Sequence, residues 1–181
     1  MRKLGLLLGM LSLMCVTAAA QTTPKAEAFF GYSYIRAKPS TSGAPSFNLH
    51  GGSTSVALNP TSRFGVVGDF GGYHVGTIDS TTVNSNVYTY LFGPRLSYRG
   101  KVTPYAQVLF GGAHATGSAL GTGTSRNAFA MAAGGGVDVN ATDHVAIRLV
   151  QTEYLLTRFR ETGPRVNQNN LRLSTGVVFR F

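Results

Sequence analysis

The sequence predicts an all-β protein, a transmembrane up-and-down antiparallel β-barrel of eight strands. Three observations lead there. Eight segments place large apolar side chains at every second residue, with small or polar ones between them. The connections between these segments alternate short and long. After residue 20 no run approaches the ~18 apolar residues of a membrane helix.

The chain opens on a different pattern. Arg2 and Lys3 form a basic start, residues 4–16 an apolar run, and Ala18, Ala19 and Ala20 the small residues a signal peptidase requires. We expect residues 1–20 to be a cleaved signal peptide and residues 21–181 to be one barrel domain. A lipoprotein signal at Cys15 fits worse, because Met14 stands where a small residue belongs. Cys15 is the only cysteine. Its removal leaves no disulfide, thiol nucleophile or thiolate metal site.

The first strand is expected over 25–36, with Ala28, Phe30, Tyr32 and Tyr34 on one face. The second, 47–58, is glycine-rich and turns Thr54, Val56 and Leu58 outward. The third, 63–75, sets Phe64, Val66 and Phe70 against Arg63, Val67 and Asp69. The fourth, 87–98, sets Tyr88, Tyr90, Phe92 and Leu96 against Thr89, Leu91 and Arg95. The fifth, 102–115, has Val108 and Phe110 opposite Tyr105 and Gln107. The sixth, 127–139, has Phe129, Met131 and Val137 opposite Ala130, Gly134 and Asp138. The seventh spans 144–157. The eighth, 170–181, alternates Leu171, Leu173, Val177, Phe179 and Phe181 with Arg172, Ser174 and Arg180.

The spans suit tilted membrane strands, which need ~9–11 residues. Short turns are expected at 59–61, 99–101 and 140–143, and long connections at 37–46, 76–86, 116–126 and 158–169. The seventh segment breaks the alternation. With Arg148 inward, Gln151 and Glu153 point outward. Either a bulge near Val150 restores both to the interior, or the strand leaves the membrane early. Glycines such as Gly134, Gly135 and Gly136 weaken a strand unless close approach requires them, so they are expected to make room inside a narrow barrel.

The charges follow the same faces. No Asp, Glu, Lys or Arg falls outward on the first, third, fourth, sixth or eighth segment, where an Arg or Lys at the midplane costs ~2–4 kcal/mol. The expected polar network of the lumen is Arg63, Asp69, Arg95, Gln107, Asp138, Arg148, Arg172 and Arg180, with Glu27 near the first strand's start. An eight-stranded barrel is just wide enough for side chains to fill. A plugged lumen without a wide pore is therefore expected, with Asp69 and Asp138 as the main acidic partners. Tyr32, Tyr34, Tyr88, Tyr98, His74 and Phe181 lie near strand ends and read as interfacial girdle residues.

Charged residues are 13% of the chain, well below the ~25% of soluble domains. The net charge is +9, and +7 without Arg2 and Lys3. Dispersed charge on an exported chain excludes nucleic acid as the expected partner. It favours an anionic surface such as lipopolysaccharide phosphate.

Three segments carry a family resemblance: 27–34 (EAFFGYSY), 64–72 (FGVVGDFGG) and 90–97 (YLFGPRLS), together with the terminal 177–181 (VVFRF). The chain resembles the small eight-stranded outer-membrane β-barrel family, the OmpA/OmpX-like barrels, over its whole mature length. The resemblance implies location in the outer membrane of a diderm bacterium. It also implies recognition of Val177, Phe179 and Phe181 by the barrel assembly machinery. Some relatives carry a peptidoglycan-binding domain after the barrel; with the sequence stopping at Phe181, none is expected.

Some eight-stranded outer-membrane barrels modify lipid A, but no His followed two residues later by Ser occurs here. His50, His74, His114 and His144 lack metal-ligand spacing. The sequence thus offers no catalytic residues, metal site or cofactor. The expected function is structural, or interaction through the long connections, in a monomer surrounded by outer-membrane lipid. Arg158, Arg160 and Arg165 are the candidate contacts to anionic glycolipid, or simply keep their connection solvated. A small porin and a lipid A-modifying enzyme are the alternatives.

Overall fold

Each segment that alternates in sequence becomes a strand, and the eight close on themselves. They are β1 (Ala26–Lys38), β2 (Phe47–Leu58), β3 (Phe64–Val75), β4 (Asn84–Ser97), β5 (Val102–Ala119), β6 (Thr122–Asn140), β7 (Val145–Phe159) and β8 (Val166–Arg180). Every strand pairs antiparallel with its sequence neighbours, and β8 pairs with β1 to complete the barrel. The computed structural model describes residues 24–38, 46–75, 84–119, 122–159 and 166–181. The expected signal segment, 1–20, lies outside them.

Closure decides the environment of each face. Phe30, Phe70, Phe92, Phe110, Phe129 and Phe179 all stand exposed on the outside. Some pack edge to face across strands, Phe70 on Phe92 at 5.6 Å and Phe30 on Phe179 at 6.2 Å between ring centres. Their neighbours one residue along the chain are buried within. Part of that interior is apolar: Ile35, Leu49, Leu91, Leu109 and Leu155 pack with the small Ala113, Ala128, Ala130 and Ala132.

The short turns are held by local bonds. Thr61 Oγ1 accepts from the Phe64 amide at 2.9 Å, and Thr142 Oγ1 from the Val145 amide at 3.1 Å. Ser and Thr hydroxyls satisfy turn amides in this way. The Asn59 side chain donates to Pro24 O at 3.0 Å, tying the first turn to the entry of β1.

The structure shortens two of the expected long connections, 158–169 because Phe159 still pairs with Val166, and it decides the alternative left open in the seventh segment. The connection expected at 116–126 is mostly strand, with Ala119 and Thr122 still cross-strand partners. Its Thr, Gly and Ser residues carry no apolar face, so periodicity does not mark them. Backbone pairing continues the ladder there. In β7 the chain carries one extra residue. Arg148 pairs with Gly176 and Gln151 with Ser174, so three steps on β7 match two on β8. Leu149 and Val150 consequently both face outward, and Gln151 and Glu153 both return inside.

Candidate functional site

The interior gathers eight fully or almost fully buried charged residues: Arg95, Arg148, Arg172 and Arg180 against Glu27, Asp69, Asp138 and Glu153. Four cations face four anions, so the cluster can be neutral as a whole. Glu27, on β1, lies nearest the short turns. It accepts from Arg180 Nε across the β1–β8 closure at 3.0 Å. Arg95 lies at 3.5 Å, and Arg99 reaches Glu27 from the turn between β4 and β5. Arg95 bridges onward to Asp138 at 3.3 Å. Arg148 holds Asp138 with two donors, Nε at 2.8 Å and Nη2 at 3.1 Å. A two-pronged contact of this kind fixes geometry as well as charge.

From Arg148 the chain of contacts continues. Arg148 donates to Gln151 Oε1 at 2.6 Å, and Gln151 Nε2 donates to Glu153 at 2.7 Å. Gln107 also donates to Glu153, at 2.8 Å, and the Tyr105 hydroxyl to Gln151, at 2.7 Å. Arg172 meets Glu153 at 2.5 Å and Asp69 at 2.7 Å, and donates to the Tyr73 hydroxyl at 3.3 Å. One connected network therefore runs from Arg99 to Tyr73. Rings complete it: the Arg95 guanidinium lies 3.9 Å from the centre of Tyr105, and that of Arg148 lies 4.2 Å from Phe29.

The strands leave space for these side chains through glycine. A Cβ on Gly134 would sit 2.1 Å from Thr152 O and 2.9 Å from Glu153 Cγ. Gly134 thus lets β7 approach closely and gives Glu153 its place.

Among the predicted lumen residues, Asp69, Arg95, Gln107, Asp138, Arg148, Arg172 and Arg180 are buried in this network. Arg63 is not. It is exposed in the first short turn, one residue before β3 begins, where the alternation no longer governs side-chain direction. Sequence reasoning also overlooked Tyr105, Tyr73 and Arg99 as members, and left Gln151 and Glu153 open. The one-residue offset after Arg148 was the signal for the last two. Arg158 is exposed on β7, while Arg160 and Arg165 lie outside the described residues. Val177, Phe179 and Phe181 all face outward. Among the described residues no cluster of three or more His, Cys, Asp or Glu could hold a metal.

The family described as "Outer membrane protein beta-barrel domain" matches residues 6–181. The chain belongs to this family. It is an outer-membrane β-barrel protein, and the exposed aromatic wall is its lipid-facing surface. Solved structures share the fold. Ail of Yersinia pestis is 21% identical, with a TM-score of 0.61, and the match covers 87% of this chain and 100% of that one. The neisserial surface protein A, NspA, is 15% identical, with a TM-score of 0.69, covering 89% and 100%. The N-terminal barrel domain of OprF from Pseudomonas aeruginosa is 13% identical, with a TM-score of 0.56, covering 87% and 98%. No curated protein sequence matches the chain.

The outer-membrane barrel carries polar rings at one border of its lipid-facing wall. The Tyr32 hydroxyl and His50 Nδ1 lie 2.5 Å apart, His74 Nδ1 lies 2.9 Å from Asn86 Oδ1, and His114 Nδ1 lies 2.6 Å from Asn127 Oδ1. These pairs sit at the strand ends opposite the short turns, where amphipathic rings meet headgroups.

Proposed function

We propose that the chain is exported by a cleaved signal, residues 1–20. Residues 21–181 then act in the outer membrane as a closed barrel with a structural and interaction role. The connected buried network from Arg99 to Tyr73 carries this reading. In an eight-stranded barrel, whose interior side chains can fill, such a network leaves no continuous water path and holds the strands against shear. The reading assigns no catalytic activity. Contact with the surroundings falls to the outer strand ends and long connections, with Arg158 on β7 and Arg160 and Arg165 beyond it as the contacts to anionic glycolipid. Val177, Phe179 and Phe181 form the outward stripe we assign to the barrel assembly machinery. The protein acts as a monomer, surrounded by lipid.

Conductance tests the reading. The refolded chain inserted into a planar bilayer should show no sustained current, while its folded state is verified by a heat-dependent shift in gel migration. Steady channels of uniform size would replace the plugged barrel with a small porin. A chain that appears only in the soluble fraction would defeat the membrane role itself.

A further inference from the structure

The lipid-facing wall is not uniformly filled. Across β1–β4 it holds an open groove of about 770 Å³, walled by Phe30, Phe70, Tyr88 and Tyr90. Gly52 and Gly72, direct cross-strand partners, form its floor. One row above, His50 and His74 are partners in the same way.

The two floor glycines differ from the other glycines of the strands. A Cβ on Gly52 would meet nothing closer than Gly31 O at 3.6 Å, and on Gly72 nothing closer than the Tyr88 ring at 3.6 Å. Both are ordinary contacts. On Gly93 or Gly111 a Cβ would lie 2.0 or 1.9 Å from a backbone oxygen. Packing thus requires glycine at 93 and 111 but not at 52 and 72, where its consequence is an unfilled floor. Glycine there weakens the strand without structural return.

The head of the groove is rich in donors. His50 can accept from the Tyr32 hydroxyl at Nδ1, which puts its own proton on Nε2, whereas His74 Nδ1 faces the acceptor Asn86 Oδ1, so Nε2 of that ring donates only in the imidazolium form. Arg36 is exposed on the same face of β1, one row beyond Tyr34, which corrects the expectation that no charge falls outward on the first strand. The acidic residues of β1–β4 are Glu27 and Asp69, and both are buried inside. No carboxylate of these strands therefore opposes an anion here. Height agrees as well. From Phe64 to His74 the strand climbs ten residues, which at ~3.3 Å each and a tilt of ~35–45° is about 25 Å, the height of the apolar band. The imidazoles stand at its border.

We propose that the groove seats one acyl chain of lipid A, with a headgroup phosphate held by His50, His74 and Arg36. Aromatic walls and a bare floor match a hydrocarbon chain. Cationic and imidazole donors match phosphate. The proposal rests on the outer-membrane reading, with the histidine border in the outer leaflet.

The test uses the full barrel in nanodiscs of phosphatidylcholine, titrated with lipid A or phosphatidylglycerol, and counts retained lipid by native mass spectrometry. Wild type should retain one lipid A in preference to phosphatidylglycerol. The floor-filling pair Gly52→Val and Gly72→Val should bind it about tenfold more weakly, and so should the pair His50→Ala and His74→Ala. In wild type, lipid A should shift the imidazole nitrogen signals of His50 and His74 but not those of His144 in the opposite turn. Equal retention by wild type and both variants overturns the groove. Equal retention of phosphatidylglycerol overturns lipid A as its occupant. Failure of wild type to show heat-dependent migration after reconstitution overturns the membrane reading beneath the proposal, a result distinct from loss of binding in a folded barrel.

Discussion

Arg172 and Asp69 are 103 positions apart in the sequence, yet Arg172 donates to Asp69 across the barrel interior at 2.7 Å. The same guanidinium meets Glu153 at 2.5 Å. One cation on β8 therefore connects β3 and β7 through the middle of the barrel, in addition to the backbone ladder along the wall.

Replacing Arg172 with Ala strands two buried carboxylates. Breaking a buried pair in this way costs ~3–5 kcal/mol. Urea unfolding of the barrel in lipid vesicles, followed by gel migration, should show a loss of that size. Combining Arg172→Met with Asp69→Asn and Glu153→Gln should recover much of it, because the penalty lies in the uncompensated charge. An unchanged midpoint for Arg172→Ala would exclude a stabilising role for this hub.

The bulge in β7 makes a sharper prediction. Deleting Val150 brings Arg148, Leu149 and Gln151 into regular alternation and leaves Arg148, Gln151 and Glu153 inside. The deletion variant should still fold and keep its heat-dependent migration. Thr152 lies between two inward polar residues but is itself exposed to lipid. Thr152→Arg should therefore cost ~2–4 kcal/mol in the same unfolding measurement. A silent Thr152→Arg would contradict the assigned sidedness.

Arg63 and Arg95 are separated by burial rather than by chemistry. Arg63 is exposed in a turn, so Arg63→Ala should stay within about 0.5 kcal/mol of wild type. Arg95 lies between Glu27 and Asp138 and is fully buried. Arg95→Ala should lose ~3–5 kcal/mol. Similar losses for both would place Arg63 inside after all.

Much of this is legible in the sequence alone. Phe30, Phe70 and Phe179 announce a lipid-facing side because alternation is a local property of extended backbone, and Asp69, Arg95 and Arg172 follow on the other side. The limits of that logic are equally local. Arg63 sits one residue outside its strand, where alternation stops. Thr116 and the residues after it pair as strand but carry the composition of a loop. Glu153 was ambiguous because one extra residue reverses every later side-chain direction.

The sequence by itself determined the number of strands, the lipid-facing side of seven of them and most of the charges assigned to the interior. All of these follow from a period of two and from the cost of placing charge in hydrocarbon. Only the tertiary structure decided which arginine holds which carboxylate, and that Gly52 and Gly72 meet beneath His50 and His74. Those partnerships depend on the register of each pair of strands and on the closure of β8 onto β1. Register and closure bring together residues from opposite ends of the chain, and no local spacing encodes such meetings.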